Sequence, residues 1–94
     1  MTEQLTASEI VRSELRASDT LVERTGADFE YAALTRGDRM IAVGTEYDED
    51  GETIWGWTWT LYAIDGDIEE EVTTDASQDA DEVRAAIVAW LDRA

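Results

Sequence analysis

The pattern of apolar and polar positions divides the chain into six segments. Thr6-Ala7-Ser8-Glu9 reads as a T-x-x-E capping box with an acidic residue in the first turn. Behind it, Val11, Leu15, Ser18 and Val22 recur at helical spacing, with Ile10 and Leu21 alongside. This predicts a helix over about residues 7–24, with Gly26 placed to end it and Ser18-Asp19-Thr20 as its weak stretch. At the other end of the chain, Val83, Ala86, Ile87, Trp90 and Leu91 form an i, i+3, i+4, i+7, i+8 stripe. That helix is capped by Asp75-x-x-Gln78 or Asp79-x-x-Glu82, and Arg93 lies at its negative end.

Between the helices the period changes from 3.6 to 2. Gly37-Asp38, Asp50-Gly51 and Asp65-Gly66 read as two-residue hairpin loops, which predicts four antiparallel strands. Loop position then sets register. The first loop pairs Ala33 with Ala42 and Tyr31 with Gly44. The second pairs Gly44 with Trp57, Ala42 with Trp59 and Met40 with Leu61. The third pairs Trp59 with Val72 and Ala63 with Ile68. One face then collects Phe29, Tyr31, Ala33, Met40, Ala42, Gly44, Trp55, Trp57, Trp59, Leu61, Ala63, Ile68 and Val72. The other carries Ala32, Leu34, Ile41, Val43, Tyr47, Ile54, Tyr62 and Ile64 among threonines and glutamates. The expected fold is one α+β domain over residues 1–94, a four-stranded meander with both helices packed on the tryptophan face. Glu46 and Glu70 are then the polar groups nearest the buried indoles.

That partition leaves an apolar patch on the second face. Leu34, Ile41, Val43, Ile54 and Tyr62 would stand open, and large open apolar patches mark interfaces. The leading expectation is therefore a non-catalytic interaction module that forms a homodimer through this face. An alternative is a small-ligand domain whose aromatic pocket is lined by Trp55, Trp57, Trp59 and Trp90.

Composition narrows the chemistry. The chain has 94 residues, with 23 Asp+Glu against 7 Lys+Arg, and no His, Cys or Pro. All seven cations are arginine. Without histidine, cysteine or lysine, imidazole bases, thiolate nucleophiles and Schiff-base lysines are excluded. No enzyme activity, cofactor or metal is expected. A carboxylate pair could in principle act as acid and base, but among so many carboxylates proximity alone is no signal. The net charge of −16 argues against nucleic-acid binding, because phosphate contacts need a basic surface. No apolar run is long enough for a membrane helix, and the polar, acidic start MTEQLTASE resembles no export signal, which predicts a cytoplasmic protein.

Two short motifs fit plainer explanations. Glu46-x-Asp48-x-Asp50-Gly51 imitates the start of a calcium loop, but its twelfth position is Trp57, where a bidentate Glu is required. An acidic hairpin tip explains it. Arg36-Gly37-Asp38 reads as a tight turn, whose flanking Arg36 and Arg39 could meet an anion.

The scattered carboxylates, missing lysine and abundant alanine and threonine resemble the acidic proteins of salt-in halophiles, chiefly haloarchaea. At 1 M salt the Debye length is about 3 Å, so a dense acidic surface hardly repels itself. The rival reading is an acidic decoy that binds a basic protein.

Overall fold

A computed structural model describes residues 5–26, 29–51 and 53–92. The element order is α1 (Ala7–Arg12), β1 (Thr20–Thr25), β2 (Glu30–Arg36), β3 (Arg39–Tyr47), β4 (Ile54–Asp65), β5 (Ile68–Ser77) and α2 (Ala80–Leu91). The strands form one antiparallel meander in the order β1-β2-β3-β4-β5. The fold is α+β as expected, with five strands in place of four.

The added strand comes from the segment expected to continue the first helix. Thr6 caps α1 through the expected capping box, but the helix lasts only to Arg12. The Ser13 hydroxyl takes the Ile10 carbonyl at 2.6 Å, and the amides of Glu14 and Leu15 reach back only three residues. The turn has tightened and cannot propagate. Thr20-Leu21-Val22 then favours extended backbone because two of its three residues are β-branched. Gly26 closes the β1–β2 connection, its amide donating to the Phe29 carbonyl at 2.9 Å, and does not cap a helix.

A six-residue helix has no stability of its own. Here tertiary partners hold it. The Ala7 amide donates to Thr45 Oγ1 at 2.7 Å, the Ser8 amide to Glu30 Oε1 at 3.0 Å, and the Trp57 indole to the Leu5 carbonyl at 3.0 Å. Helix α2 is capped by Asp79, whose side chain accepts from the Asp81 amide. Its expected stripe is inward: Val83, Ile87, Trp90 and Leu91 are buried and Ala86 packs beside them. The expected role of Arg93 lies outside the described residues.

The sheet departs from the expected register at one residue. Tyr47 pairs with Ile54, as a two-residue loop at Asp50-Gly51 requires. The next pair is Glu46 with Gly56, which leaves Trp55 without a partner. Trp55 is the extra residue of a β-bulge. Beyond it Val43 pairs with Trp59 and Ile41 with Leu61, where Ala42 and Met40 had been expected. Because side chains alternate, this slip moves Trp57 and Trp59 to the other face of the sheet. They join Leu34, Ile41 and Val43 in a single buried cluster with Ala7, Ile10 and Val11 of α1 and the α2 stripe. The hairpin between β4 and β5 also differs, with Asp65 opposite Ile68 and a second irregularity that leaves Val72 unpaired.

Two glycines carry the hairpins at β2–β3 and β4–β5. Gly37 and Gly66 sit at φ 64° and 63°, the left-handed region a side chain resists. Gly56 is required for a different reason. A Cβ there would lie 2.6 Å from the Ser77 carbonyl oxygen, where the chain leaves β5 for α2. Gly56→Ala is expected to force these backbones apart and cost about 1–3 kcal/mol by denaturant unfolding. An unchanged midpoint would show that the crossing is not tight.

One arginine ties three elements together. Arg36 at the end of β2 grips Asp19 with Nε at 2.8 Å and Nη2 at 2.7 Å, Asp92 with Nη1 at 2.6 Å, and the Glu14 carbonyl at 3.1 Å. Arg16 adds a second contact to Asp92 at 2.8 Å. The Asp19 side chain has no exposed surface, and its hydrogen bonds from Arg36 hold its carboxyl below the ordinary 3.8. A depressed carboxyl pKa stabilises the fold above its unfolded value, and that contribution disappears as pH falls through the folded value. Asp19→Asn is therefore expected to cost about 2–4 kcal/mol near neutral pH. The gap between variant and wild type should close below about pH 4. A gap constant from neutral pH to pH 3 contradicts this assignment.

Candidate functional site

Buried and half-buried positions alternate along the inner strands. Ala32, Leu34, Ile41, Val43 and Thr45 are buried, whereas Ala33, Thr35, Met40, Ala42 and Gly44 between them are half-buried. The ladders arrange the second set, with its neighbours, in three rows. One row is Thr20, Thr35, Met40, Tyr62 and Glu71. The next is Val22, Ala33, Ala42, Thr60 and Thr74. The third is Arg24, Tyr31, Gly44, Thr58 and Ala76.

These fifteen positions include one carboxylate, Glu71, in a chain where 23 of 94 residues are acidic. The middle of the patch is built from alanine, glycine, methionine and threonine. Apolar side chains reach solvent at its β1–β2 side, where Val22 is 38% exposed and Tyr31 39%. Tyr31 stacks on Phe29 with ring centroids 6.4 Å apart. At the other side the Thr60 and Thr74 hydroxyls bond each other at 3.2 Å, and Thr58 donates to Glu46 at 3.1 Å. The result is a surface with few charges and its threonine hydroxyls partly occupied internally.

The residues expected at an interface are distributed differently. Leu34, Ile41 and Val43 are fully buried beneath the chain's own helices, so no second copy can reach them. Ile54 is half-buried and packs against the same cluster. Tyr62 alone lies in the rows described above. The cause is the bulge at Trp55, which gives these side chains the tryptophans as neighbours.

The four tryptophans do not line one pocket. Trp57, Trp59 and Trp90 belong to the core, Trp55 is 48% exposed, and the described residues enclose no pocket. Indole partners are backbone carbonyls, not the expected Glu46 and Glu70. Trp57 uses Leu5, and Trp90 donates to Met40 at 3.0 Å and Tyr62 at 3.2 Å. Glu46 accepts from Thr58 instead, and Glu70 pairs with Ala63 at the edge of the sheet.

The two motif regions also have internal partners. Asp50 accepts from the amide and hydroxyl of Thr53 at 2.9 and 2.6 Å, so the acidic tip closes on itself. No group of three or more acidic residues suited to a metal ion occurs among the described residues. Arg36 is engaged by Asp19 and Asp92, while Arg39 lies 4.8 Å from the Trp90 ring and donates to its carbonyl at 3.0 Å. Neither is presented to an anion at the turn.

Val22 and Arg24 belong to the patch, although the apolar spacing of their segment predicts a helix. The alternation in Thr20-Leu21-Val22-Glu23-Arg24-Thr25 was the available signal. Among the described residues, no helix is long and apolar enough to cross a membrane, which says nothing of a β-barrel. No family model, curated protein or solved structure matches the chain.

Proposed function

We propose that this chain is a non-catalytic interaction module that pairs with a second copy of itself across the sheet face carrying Val22, Ala33, Met40, Ala42 and Tyr62. On this reading both helices cover the tryptophan face and leave this one open. The observation that carries it is the loss of carboxylates from these rows in so acidic a chain. Two copies can meet here while keeping their repelling charges at the rim. Five strands about 4.8 Å apart and about 20 Å long present on the order of 500 Å² per copy. A pair then buries about 1,000 Å², the low end for specific association.

The setting proposed for this association is a cytoplasm rich in salt. There, screening removes the repulsion between two chains of charge −16 but leaves apolar and van der Waals contact intact.

Two measurements test the proposal. In molar KCl and at high micromolar protein, light scattering should give twice the 10.5 kDa chain mass. Ala42→Lys should return it to one chain mass without changing the far-UV spectrum. A wild-type monomer under these conditions contradicts the proposal. The melting midpoint should also rise between about 0.05 and 2 M KCl as self-repulsion is screened. A midpoint independent of salt contradicts the halophilic setting while leaving the pairing face in place.

A further inference from the structure

The two edges of the sheet are unequally protected. At the β5 edge stand Glu69, Glu70, Glu71 and Asp75, with Val72 unpaired at the irregularity. Charge and a broken ladder are the usual means of keeping an edge from pairing. Strand β1 has no break in its ladder and no net charge. Its six residues pair with β2 without irregularity, its charged residues are Glu23 and Arg24, and they have opposite signs. Helix α1 lies mainly over β2 and β3 and reaches β1 through the side-chain pair of Arg12 with Glu23, which leaves the outward backbone groups uncovered.

The hydrogen bonding of β1 shows which groups face outward. The Gly26 amide donates to the Phe29 carbonyl. In an antiparallel ladder such bonded pairs recur at every second residue. Arg24, Val22 and Thr20 therefore turn their amides and carbonyls toward β2. Leu21, Glu23 and Thr25 turn theirs away from the sheet. A second contact agrees: Arg24 Nη1 donates to the Glu23 carbonyl at 3.3 Å, which places that carbonyl at the free edge. No amide of Leu21, Glu23 or Thr25 has an acceptor among the described residues outside this ladder.

The geometry points to β1 as a strand-pairing edge whose occupant is β1 of a second copy, aligned antiparallel about a two-fold axis at Val22. Three registers match at least two outward residues of each copy to outward residues of the other. Centring on Glu23 sets two glutamates opposite each other, and centring on Arg24 does the same with two arginines. Centring on Val22 sets Val22 against Val22, Leu21 against Glu23 and Thr20 against Arg24. Like charges directly across a ladder are unfavourable, so the third register is selected. It forms four backbone bonds between Leu21 and Glu23 of the two copies. One of them displaces the Arg24 guanidinium from the Glu23 carbonyl. This contact uses the outward backbone groups of β1 and not the face proposed above, with the Val22 side chain common to both. With four backbone bonds and little apolar area it is the weaker of the two, so it fills at higher protein concentration.

Amide hydrogen exchange reads this edge residue by residue. In molar KCl, exchange at Leu21 and Glu23 should slow by at least about tenfold as protein concentration rises from micromolar to millimolar. Val22→Lys places two cations across the axis and should abolish that slowing. Ala42→Lys disrupts only the face and should leave it intact. Far-UV spectra establish that both variants fold. Exchange at Leu21 and Glu23 that does not depend on concentration overturns the proposal and leaves only a strand from another protein as occupant. Slowing that survives Val22→Lys, or disappears in Ala42→Lys, overturns it as well. Loss of the light-scattering dimer with edge slowing retained would remove the face proposal alone.

Discussion

The unpaired residue Trp55 decides which side chains share a core. Without it, the ladder between β3 and β4 would set Trp59 opposite Ala42 and divide the large apolar residues between two faces. With it, Trp59 lies opposite Val43, and Trp57 and Trp59 stand among Leu34, Ile41 and Val43. Each buried indole removes roughly 150–250 Å² from water, worth about 4–6 kcal/mol. Buried residues of both helices, Ile10 and Val11 of α1 and Val83, Ile87 and Leu91 of α2, belong to that same cluster. The middle of the other face is left mostly to alanine, glycine, threonine and methionine. Core and candidate interface thus follow from the same inserted residue.

The polar framework secures what the apolar cluster cannot. Helix α1 is too short to hold itself, and its first amides depend on Thr45 and Glu30 of the sheet. The few cations are used economically in this respect. Arg36 joins the segment after α1, the end of β2 and the end of α2, and Arg12 makes a bidentate pair with Glu23 of β1. Arg39 lies against Trp90, whose indole is in turn shared between carbonyls of β3 and β4. Arg24 makes no ion pair with a described residue, and it lies at the uncovered edge and face.

Much of the architecture was legible because short-range chemistry specifies it. The Thr6 capping box, the α2 stripe and the turn at Gly37-Asp38 each depend on residues a few positions apart. The end of α1 was not legible, because an apolar spacing that suits a helix at Leu15 and Val22 is overruled by Ser13 and by the Asp19–Arg36 contact, which is long-range. The bulge was invisible for a related reason. Trp55-Gly56-Trp57 alternates well as a regular strand, and only the tight passage of the Ser77 carbonyl over Gly56 and the demands of the helices distinguish the shifted register. Since one slipped residue exchanges the faces, the candidate site moved wholesale: Leu34, Ile41 and Val43 went inward, and Tyr62 stayed with a surface the sequence reading had given to the core.

The candidate surface therefore depends on the register between β3 and β4. Cross-strand nuclear Overhauser contacts between backbone protons measure it directly. The account predicts contacts joining Val43 to Trp59 and Ile41 to Leu61. Contacts joining Ala42 to Trp59 and Met40 to Leu61 in their place would contradict it, returning the tryptophans to the opposite face and removing the proposed surface.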